Sequence, residues 1–311
     1  MSQKISKIVV IVGPTASGKT GLALRLAKEL KGEIVSADSR QIYQGMDVGS
    51  GKPKGLWQKV GDRKIFVVEG IPHYLMDSVK PDAPMSVAEF KTQAIECLND
   101  IVSRGKTPFL AGGTGLYISA VLDNLTIPPV LPDATLRTNL EKKSVAELAE
   151  MLQTIDLETV AKIDMHNPRR LIRALEVAIT SGQSFLQTQK RGPQLFESLM
   201  IGLNWPREEL YKRINARVDE QMEEGLVAET KNLLARGYDF TLPSMSGIGY
   251  REIAAYLEGE LTLREATEKI KQAVRQYSRR QRTWFKRDKR IRWIDGDDYE
   301  QAKGFIENFL H

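Results

Sequence analysis

Residues Gly13, Pro14, Thr15, Ala16, Ser17, Gly18, Lys19 and Thr20 fit the pattern G-x-x-x-x-G-K-[ST] at every fixed position. Glycines at those places let successive backbone N–H groups turn inward around phosphate oxygens, and a helix starting there adds a favourable field for an anion. Lys19 supplies a point charge and Thr20 a hydroxyl placed to reach Mg2+. This octapeptide predicts a diphosphate site. A second run, Gly49-Ser50-Gly51-Lys52, fails the same test: Pro53 follows Lys52, and Met46 stands where the first glycine belongs.

A phosphate loop does not name a reaction, so the next informative stretch is Asp38-Ser39-Arg40-Gln41. It follows the run Glu33 to Ala37, which reads as a strand, and open parallel sheets place their ligand crevice at the C-terminal ends of strands. The stretch brings a carboxylate, a hydroxyl, a guanidinium and an amide within reach of whatever reacts with the held phosphate. The competing role for Asp38 is to cap the following turn. Thr114, in Gly112-Gly113-Thr114-Gly115 after another short strand, occupies the same edge.

Charge supplies the third chemical feature. The chain carries 45 Lys and Arg against 40 Asp and Glu, a net +5. Arg275 to Arg292 alone hold nine basic residues and one acid, Asp288, which is +8 and leaves −3 for the remainder. On a helix, Arg275, Arg279, Arg282 and Lys286 fall within about 60° of one another, with Ala273, Tyr277 and Trp284 nearly opposite. One face is expected to meet a polyanion such as nucleic acid, and the other to pack.

The elements that must position these groups follow from hydrophobic runs bounded by turn residues. Ile8 to Val12, Glu33 to Ala37, Ile65 to Val68 and Pro108 to Ala111 read as strands separated by helix-like stretches, which implies right-handed crossovers and a parallel sheet. Ser86, Ser144 and Thr262 each precede a Glu at capping-box spacing and should open helices. Pro128, Pro129 and Pro132 break the pattern, and the stretch to about Gly192 shows no convincing strand but an amphipathic helix over Arg169–Thr180. A strand-like run returns at Leu199–Leu203. The expected fold is α/β: a P-loop NTPase-like parallel sheet core over 1–124, an inserted all-helical domain over 125–197, and core completion with the basic helix over 198–311.

Length and composition agree with that plan. The 311 residues suffice for about two domains, and 41% hydrophobic with 27% charged residues are globular proportions. No apolar run approaches the roughly 20 residues of a membrane span, and Ile8 to Val12 is too short for a secretory signal, so a cytoplasmic protein without a membrane partner is expected. The single cysteine, Cys97, excludes an intramolecular disulfide, and with His73, His166 and His311 it does not build an ordinary structural zinc site. Cys97 is expected in core packing.

Taken together, several segments resemble the tRNA dimethylallyltransferases (tRNA isopentenyl-diphosphate transferases), bacterial type without a zinc finger. They are residues 13–20, Asp38-Ser39-Arg40-Gln41-Ile42-Tyr43 with Gly45-Met46-Asp47, Gly112 to Tyr117, Asn167 to Glu176, Gly247 to Glu252, and Gln276-Tyr277 with Arg280-Gln281 and Thr283-Trp284-Phe285. The resemblance covers nearly the whole chain. It implies transfer of a dimethylallyl group from its diphosphate to N6 of the adenosine 3′ of the anticodon (position 37) in tRNAs reading codons that begin with U. It also implies that Asp38 is the general base, that Thr114 and Arg137 contact tRNA, and that Arg213 and Arg217 lie near the diphosphate. Lys19, Thr114 and Arg217 join Asp38 as catalytic candidates. The tRNA-binding stretches implied are Asp38, Ser39, Arg40 and Gln41; Arg169, Arg170, Leu171, Ile172 and Arg173; Ser246, Gly247, Ile248, Gly249, Tyr250 and Arg251; and, from the basic helix, Arg275, Arg279, Arg280, Arg282 and Lys286. Ser246 stands where some relatives carry Arg. Mg2+ is the expected cofactor, and dimethylallyl diphosphate and the tRNA anticodon stem-loop the partners of an expected monomer.

The chemistry suits these residues. An adenine N6 amine is a weak nucleophile, so a carboxylate taking its proton should help by about 10²–10⁴-fold. The P-loop would then grip a leaving diphosphate in place of an ATP γ-phosphate. Two rivals share the P-loop and the strand-end Asp: a small-molecule or nucleotide kinase, and a prenyltransferase acting on free AMP or ATP. Neither needs a +8 segment.

Overall fold

The computed structural model describes residues 5–60, 63–83, 85–128, 130, 133–188 and 190–311. The chain divides into two compact units, residues 1–122 with 195–311, and residues 123–194.

The first unit begins with β1 (Ser6–Val12), α1 (Lys19–Glu29), β2 (Gly32–Ser36), β3 (Leu56–Val60), β4 (Arg63–Val68), β5 (Ile71–Tyr74), α2 (Val87–Ser103), β6 (Thr107–Gly112) and α3 (Gly115–Leu122). The second unit holds α4 (Ala134–Glu141), α5 (Val145–Ile155), α6 (Leu157–Val160), α7 (Pro168–Ser181) and α8 (Phe185–Thr188). The first unit resumes with β7 (Phe196–Asn204), α9 (Arg207–Glu223), α10 (Leu226–Ala235), α11 (Tyr250–Leu257), α12 (Leu263–Lys286), β8 (Ile291–Asp295) and α13 (Tyr299–Leu310).

Eight strands form one sheet in the order β3-β4-β5-β2-β6-β1-β7-β8. From β5 to β8 every pairing is parallel, and β1 lies between β6 and β7 with Val9 opposite Phe109 and Leu199. Both faces are covered, so β1 reads as an unbroken apolar run. Ile8, Val10 and Val12 join a core with Phe90, Leu98 and Tyr117, while Val9 and Ile11 join another with Leu22, Leu26 and Ile306. Cys97 packs half-buried against the first of these cores.

The parallel expectation needs one correction. β3, β4 and β5 pair antiparallel at one edge. β4 and β5 are joined by the two-residue turn Glu69-Gly70, where φ is 48° and 82°. Positive φ at both central positions makes the tight hairpin turn whose twist suits antiparallel strands.

The helix signals act as their chemistry requires. Ser86, Ser144 and Thr262 each accept from the third helical N–H, while Glu89, Glu147 and Glu265 bond back, and Asn167 caps α7 with Pro168 in its first turn. The second unit buries Leu140, Leu148, Leu152, Leu171, Ala174 and Leu175 around its own centre.

Candidate active site

The octapeptide 13–20 runs from the end of β1 into α1. Three of its carbonyls are held: Pro14 accepts from the loop's own Lys19 Nζ at 3.2 Å, and from outside Ala16 accepts from Arg213 Nε at 3.0 Å and Ser17 from Trp205 Nε1 at 2.8 Å. Arg213 also stacks 4.2 Å over the Trp205 ring. The Thr15 N–H donates to Gln281 Oε1 at 2.8 Å. With its carbonyls committed, the loop is fixed, and the first turn of α1 has N–H groups without intrahelical partners. Burial pulls the Lys19 ammonium down to about 8, with the Asp38 charge opposing and Arg217 reinforcing.

Asp38 follows β2 directly. Its Oδ1 accepts from the Arg40 N–H at 2.9 Å and the Gln41 N–H at 3.4 Å, so the turn-capping role is real. It occupies one oxygen; no hydrogen bond among the described residues engages Oδ2. The Asp38 charge acts on Lys19, Arg217, Tyr117 and Tyr277 alike, which puts this carboxylate among the loop, α9, α3 and α12.

Thr114 stitches two strand ends together. Its Oγ1 accepts from the Ser39 N–H at 3.0 Å and donates to Ser39 Oγ at 3.3 Å, and its N–H donates to the Ala37 carbonyl at 3.1 Å. A Cβ on Gly112 would lie 2.1 Å from that same carbonyl, so a side chain there would push the two turns apart. Burial, helped by the Asp38 charge, raises the Tyr277 phenol to about 12.

An open cavity of about 560 Å³ adjoins the loop, lined by Gly18, Thr20, Gly51, Arg213 and Arg217 among others. The Gly51 carbonyl accepts from Arg217 Nη2 at 3.0 Å and from Gln41 Nε2 at 3.1 Å. At φ 59°, with a built Cβ only 1.7 Å from Arg217 Nη2, position 51 has no room for a side chain. Burial lowers the Arg217 guanidinium, and the Asp38 charge opposes it. Lys52, the lysine of the failed second motif, is committed elsewhere: it is buried and bonds Asp47, Asp77 and the Tyr43 carbonyl at 2.5, 2.6 and 2.7 Å.

The basic helix splits. Arg279, Arg280 and Lys286 are exposed, but Arg275 donates to Asn215 Oδ1 at 2.6 Å and Arg282 to Asn204 Oδ1 at 3.4 Å. The other face holds Ser278, Gln281 and Phe285 in the interior. Gln281 is the residue sequence reasoning missed: besides Thr15 it donates to the Gly113 carbonyl at 2.9 Å. Its signal was an uncharged amide within a run of cations. Trp205 carried no signal beyond being aromatic.

Among the remaining candidates, Arg40 donates to the Pro243 and Ser244 carbonyls at 2.8 and 3.1 Å, which joins the 38–41 turn to the 243–246 turn. Ser246 and Arg251 are exposed; Gly247 and Gly249 are buried and Ile248 half-buried. Tyr250 is a core residue whose hydroxyl donates to Glu229, the carboxylate that also accepts the Asp47, Val48 and Gly49 N–H groups. In the second unit Leu171 is likewise fully buried. The side chains of Tyr250 and Leu171 therefore pack the fold instead of facing a ligand, because an apolar or internally bonded group gains more from burial. Arg169 and Arg170 are exposed and Ile172 is half-buried. Arg137 and Arg173 converge on the fully buried Glu176 at 2.8 and 2.5 Å. Burial would raise that carboxyl, but both arginines and the Asp133 N–H hold it below the usual range.

Comparison with known proteins agrees with this geometry. A family model for IPP transferase matches residues 41–288, and one for isopentenyl transferase matches residues 6–70. The tRNA dimethylallyltransferase of Acetivibrio thermocellus is 42% identical over 314 residues, covering 99% of this chain and 97% of that protein. The full-length tRNA isopentenylpyrophosphate transferase from Bacillus halodurans superposes with a TM-score of 0.70 at 39% identity, over 98% of this chain and 95% of that one. A eukaryotic dimethylallyltransferase acting on tRNA gives 0.74 at 26% identity, over 98% of this chain and 77% of its own. Identity at that level from end to end, on a sheet whose phosphate loop and Asp38 turn share one edge, makes this chain a member of the tRNA dimethylallyltransferase family.

Proposed function

We propose that the chain transfers a dimethylallyl group from dimethylallyl diphosphate to N6 of the adenosine at tRNA position 37, in tRNAs reading codons that begin with U. The observation that carries this reading is the reach of the Asp38 charge: one carboxylate acts on Lys19 of the phosphate loop, on Arg217 of the adjoining cavity and on Tyr277 of the basic helix. N6 attacks the allylic carbon, the carbon–oxygen bond to diphosphate breaks, and the N6 proton passes to Asp38. Loop N–H groups, Lys19, Arg213 and Arg217 stabilise the charge on the departing diphosphate. Thr114, held by Ser39 and the Ala37 carbonyl, borders the adenine's approach.

The donor set suits Mg2+. No group of three or more His, Cys, Asp or Glu that could hold a metal occurs among the described residues, while the Thr20 hydroxyl lines the cavity. Mg2+ commonly takes one or two protein oxygens and completes its shell with phosphate and water. Thr20 would hold it, and when bound it would neutralise diphosphate charge.

The RNA is held through exposed cations, Arg279, Arg280 and Lys286 on α12, Arg169 and Arg170 on α7, and Arg251. Arg40, Ser246 and the half-exposed Arg137 and Arg173 add contacts, whereas Gln41, buried and bonded to the Gly51 carbonyl, faces the interior. The adenosine leaves its stack at a cost of about a few kcal/mol, offset by these contacts. No helix among the described residues is long and apolar enough to cross a membrane.

Labelled dimethylallyl diphosphate with Mg2+ should label tRNA, and neither AMP nor ATP. Labelling of AMP or ATP alone, or consumption of ATP with a kinase substrate, would replace this reading by one of its rivals.

A further inference from the structure

His73 lies on β5, opposite Ile34 of β2, and is 2% exposed. Its Nδ1 is 2.9 Å from the Ile71 carbonyl oxygen. A carbonyl oxygen accepts and cannot donate, so Nδ1 carries the ring proton. Burial lowers the imidazole's basicity, against the Ile71 bond that raises it, and keeps the ring neutral. Nε2 is then a bare acceptor, and it is buried without a hydrogen-bond partner among the described residues. Leaving a buried acceptor unmet costs about 1–3 kcal/mol.

His73 lines a small cavity together with Thr20, Ser36 and Gln41 on its polar side and Ala23, Ile34 and Met76 on its apolar side. Its volume, about 10 Å³, is near the minimum that admits the centre of one water molecule. A buried water needs two to four polar partners. Thr20, Ser36 and Gln41 carry such groups beside the unpartnered His73 Nε2. Thr20 also lines the large cavity beside the phosphate loop, so one residue faces both spaces.

We infer that His73 is a positioning residue for Thr20: its Nε2 accepts from one buried water, and that water fixes the orientation of the Thr20 hydroxyl at the diphosphate site. The inference rests on the proposed role of Thr20 toward Mg2+. The water donates one hydrogen to Nε2 and binds the Thr20 and Ser36 hydroxyls with its remaining capacity. Thr20 then turns its lone pairs to the large cavity at no cost in ordering when the donor arrives. Partners of this kind, one shell behind a ligand, commonly change metal affinity by 10–100-fold when removed.

Two variants and one spectrum test it. His73→Phe keeps a planar ring and removes the acceptor, whereas His73→Gln puts an amide oxygen near the place of Nε2. Calorimetric titration of Mg2+ into the full-length protein with pyrophosphate should show affinity weakened about 10-fold or more in the Phe variant and within about 3-fold of the parent in the Gln variant. KM for tRNA should stay unchanged in both. In the unsubstituted protein, long-range 15N–1H NMR should show the Nδ1–H tautomer at His73, which decides the matter even if the Phe variant does not fold. An Nε2–H tautomer, or equal Mg2+ affinity in both variants and the parent, would overturn the inference. If the parent binds pyrophosphate without any dependence on Mg2+, the metal reading of Thr20 fails. The tautomer and the pyrophosphate affinities of the two variants then judge His73 separately, and affinities equal to the parent's would overturn it.

Discussion

Gln281 of α12 accepts a hydrogen bond from the Thr15 N–H at 2.8 Å, across 266 positions of sequence. Its amide nitrogen meets the Gly113 carbonyl at 2.9 Å, so the helix that carries the exposed cations is fastened to both glycine turns of the site. Under the proposed function, RNA on the outer face and diphosphate inside would share this one element.

Gln281→Leu keeps the volume and removes both bonds, leaving a buried N–H and a buried C=O unmet. The loss should be about 2 kcal/mol or more, read as a lower Tm, together with weaker dimethylallyl diphosphate binding. Unchanged diphosphate affinity would show that the clamp serves folding alone.

Asp38→Asn preserves the turn cap, because the amide oxygen can still accept the Arg40 and Gln41 N–H groups. It cannot take a proton. Turnover should fall about 10²-fold or more with tRNA affinity little changed, measured by single-turnover kinetics and filter binding.

Lys19 titrates near pH 8 in the free protein. An anion favours the ammonium form, so diphosphate binding raises that pKa and takes up protons. Affinity for dimethylallyl diphosphate should weaken as pH rises through about 8. Calorimetry at pH 8.5 in two buffers of different ionisation enthalpy should show proton uptake that disappears in Lys19→Ala. In the free protein the sign for stability is opposite to that of a paired lysine. The charged form is penalised by burial, so the cost is fully present below about pH 8 and is relieved as pH rises toward the ordinary lysine value.

The divided basic helix predicts two kinds of variant. Arg279→Ala and Lys286→Ala should each lower the slope of log K for tRNA against log salt by about 0.7–0.9 and leave Tm alone. Arg275→Ala and Arg282→Ala break bonds to Asn215 and Asn204, and should lower Tm with a smaller change in slope. Salt-series titrations of all four separate the groups, and equal slopes throughout would remove α12 from RNA binding.

Local signals in the sequence were read well where one residue type determines one geometry. The phosphate loop, the three capping boxes and the helix after Asn167 each depend on neighbours within a few positions. The antiparallel edge was missed because β3 is short and exposed at Leu56, and because the cue for the β4–β5 turn is a Glu-Gly pair that tolerates many conformations. Residues whose role depends on distant partners were not legible. Nothing near Gln281 announces Thr15, and nothing near Arg275 announces Asn215. Tyr250 and Leu171 were expected to bind because whole segments resemble the family's tRNA-binding stretches, whereas the burial of each side chain is decided by the elements packed around it.

The register of β1 dictates an order of assembly. Its middle position in the sheet needs Phe109 on one side and Leu199 on the other, and β7 in turn needs β8 near the C-terminal end. During synthesis β1 therefore leaves the ribosome long before its second neighbour exists, and exposes an apolar strand edge meanwhile. The second unit, compact within residues 123–194 and with its own buried centre, is complete in sequence before that neighbour is made. Non-local pairing of this kind folds slowly and is open to aggregation, so the nascent chain is a natural client for chaperones that shield strand edges.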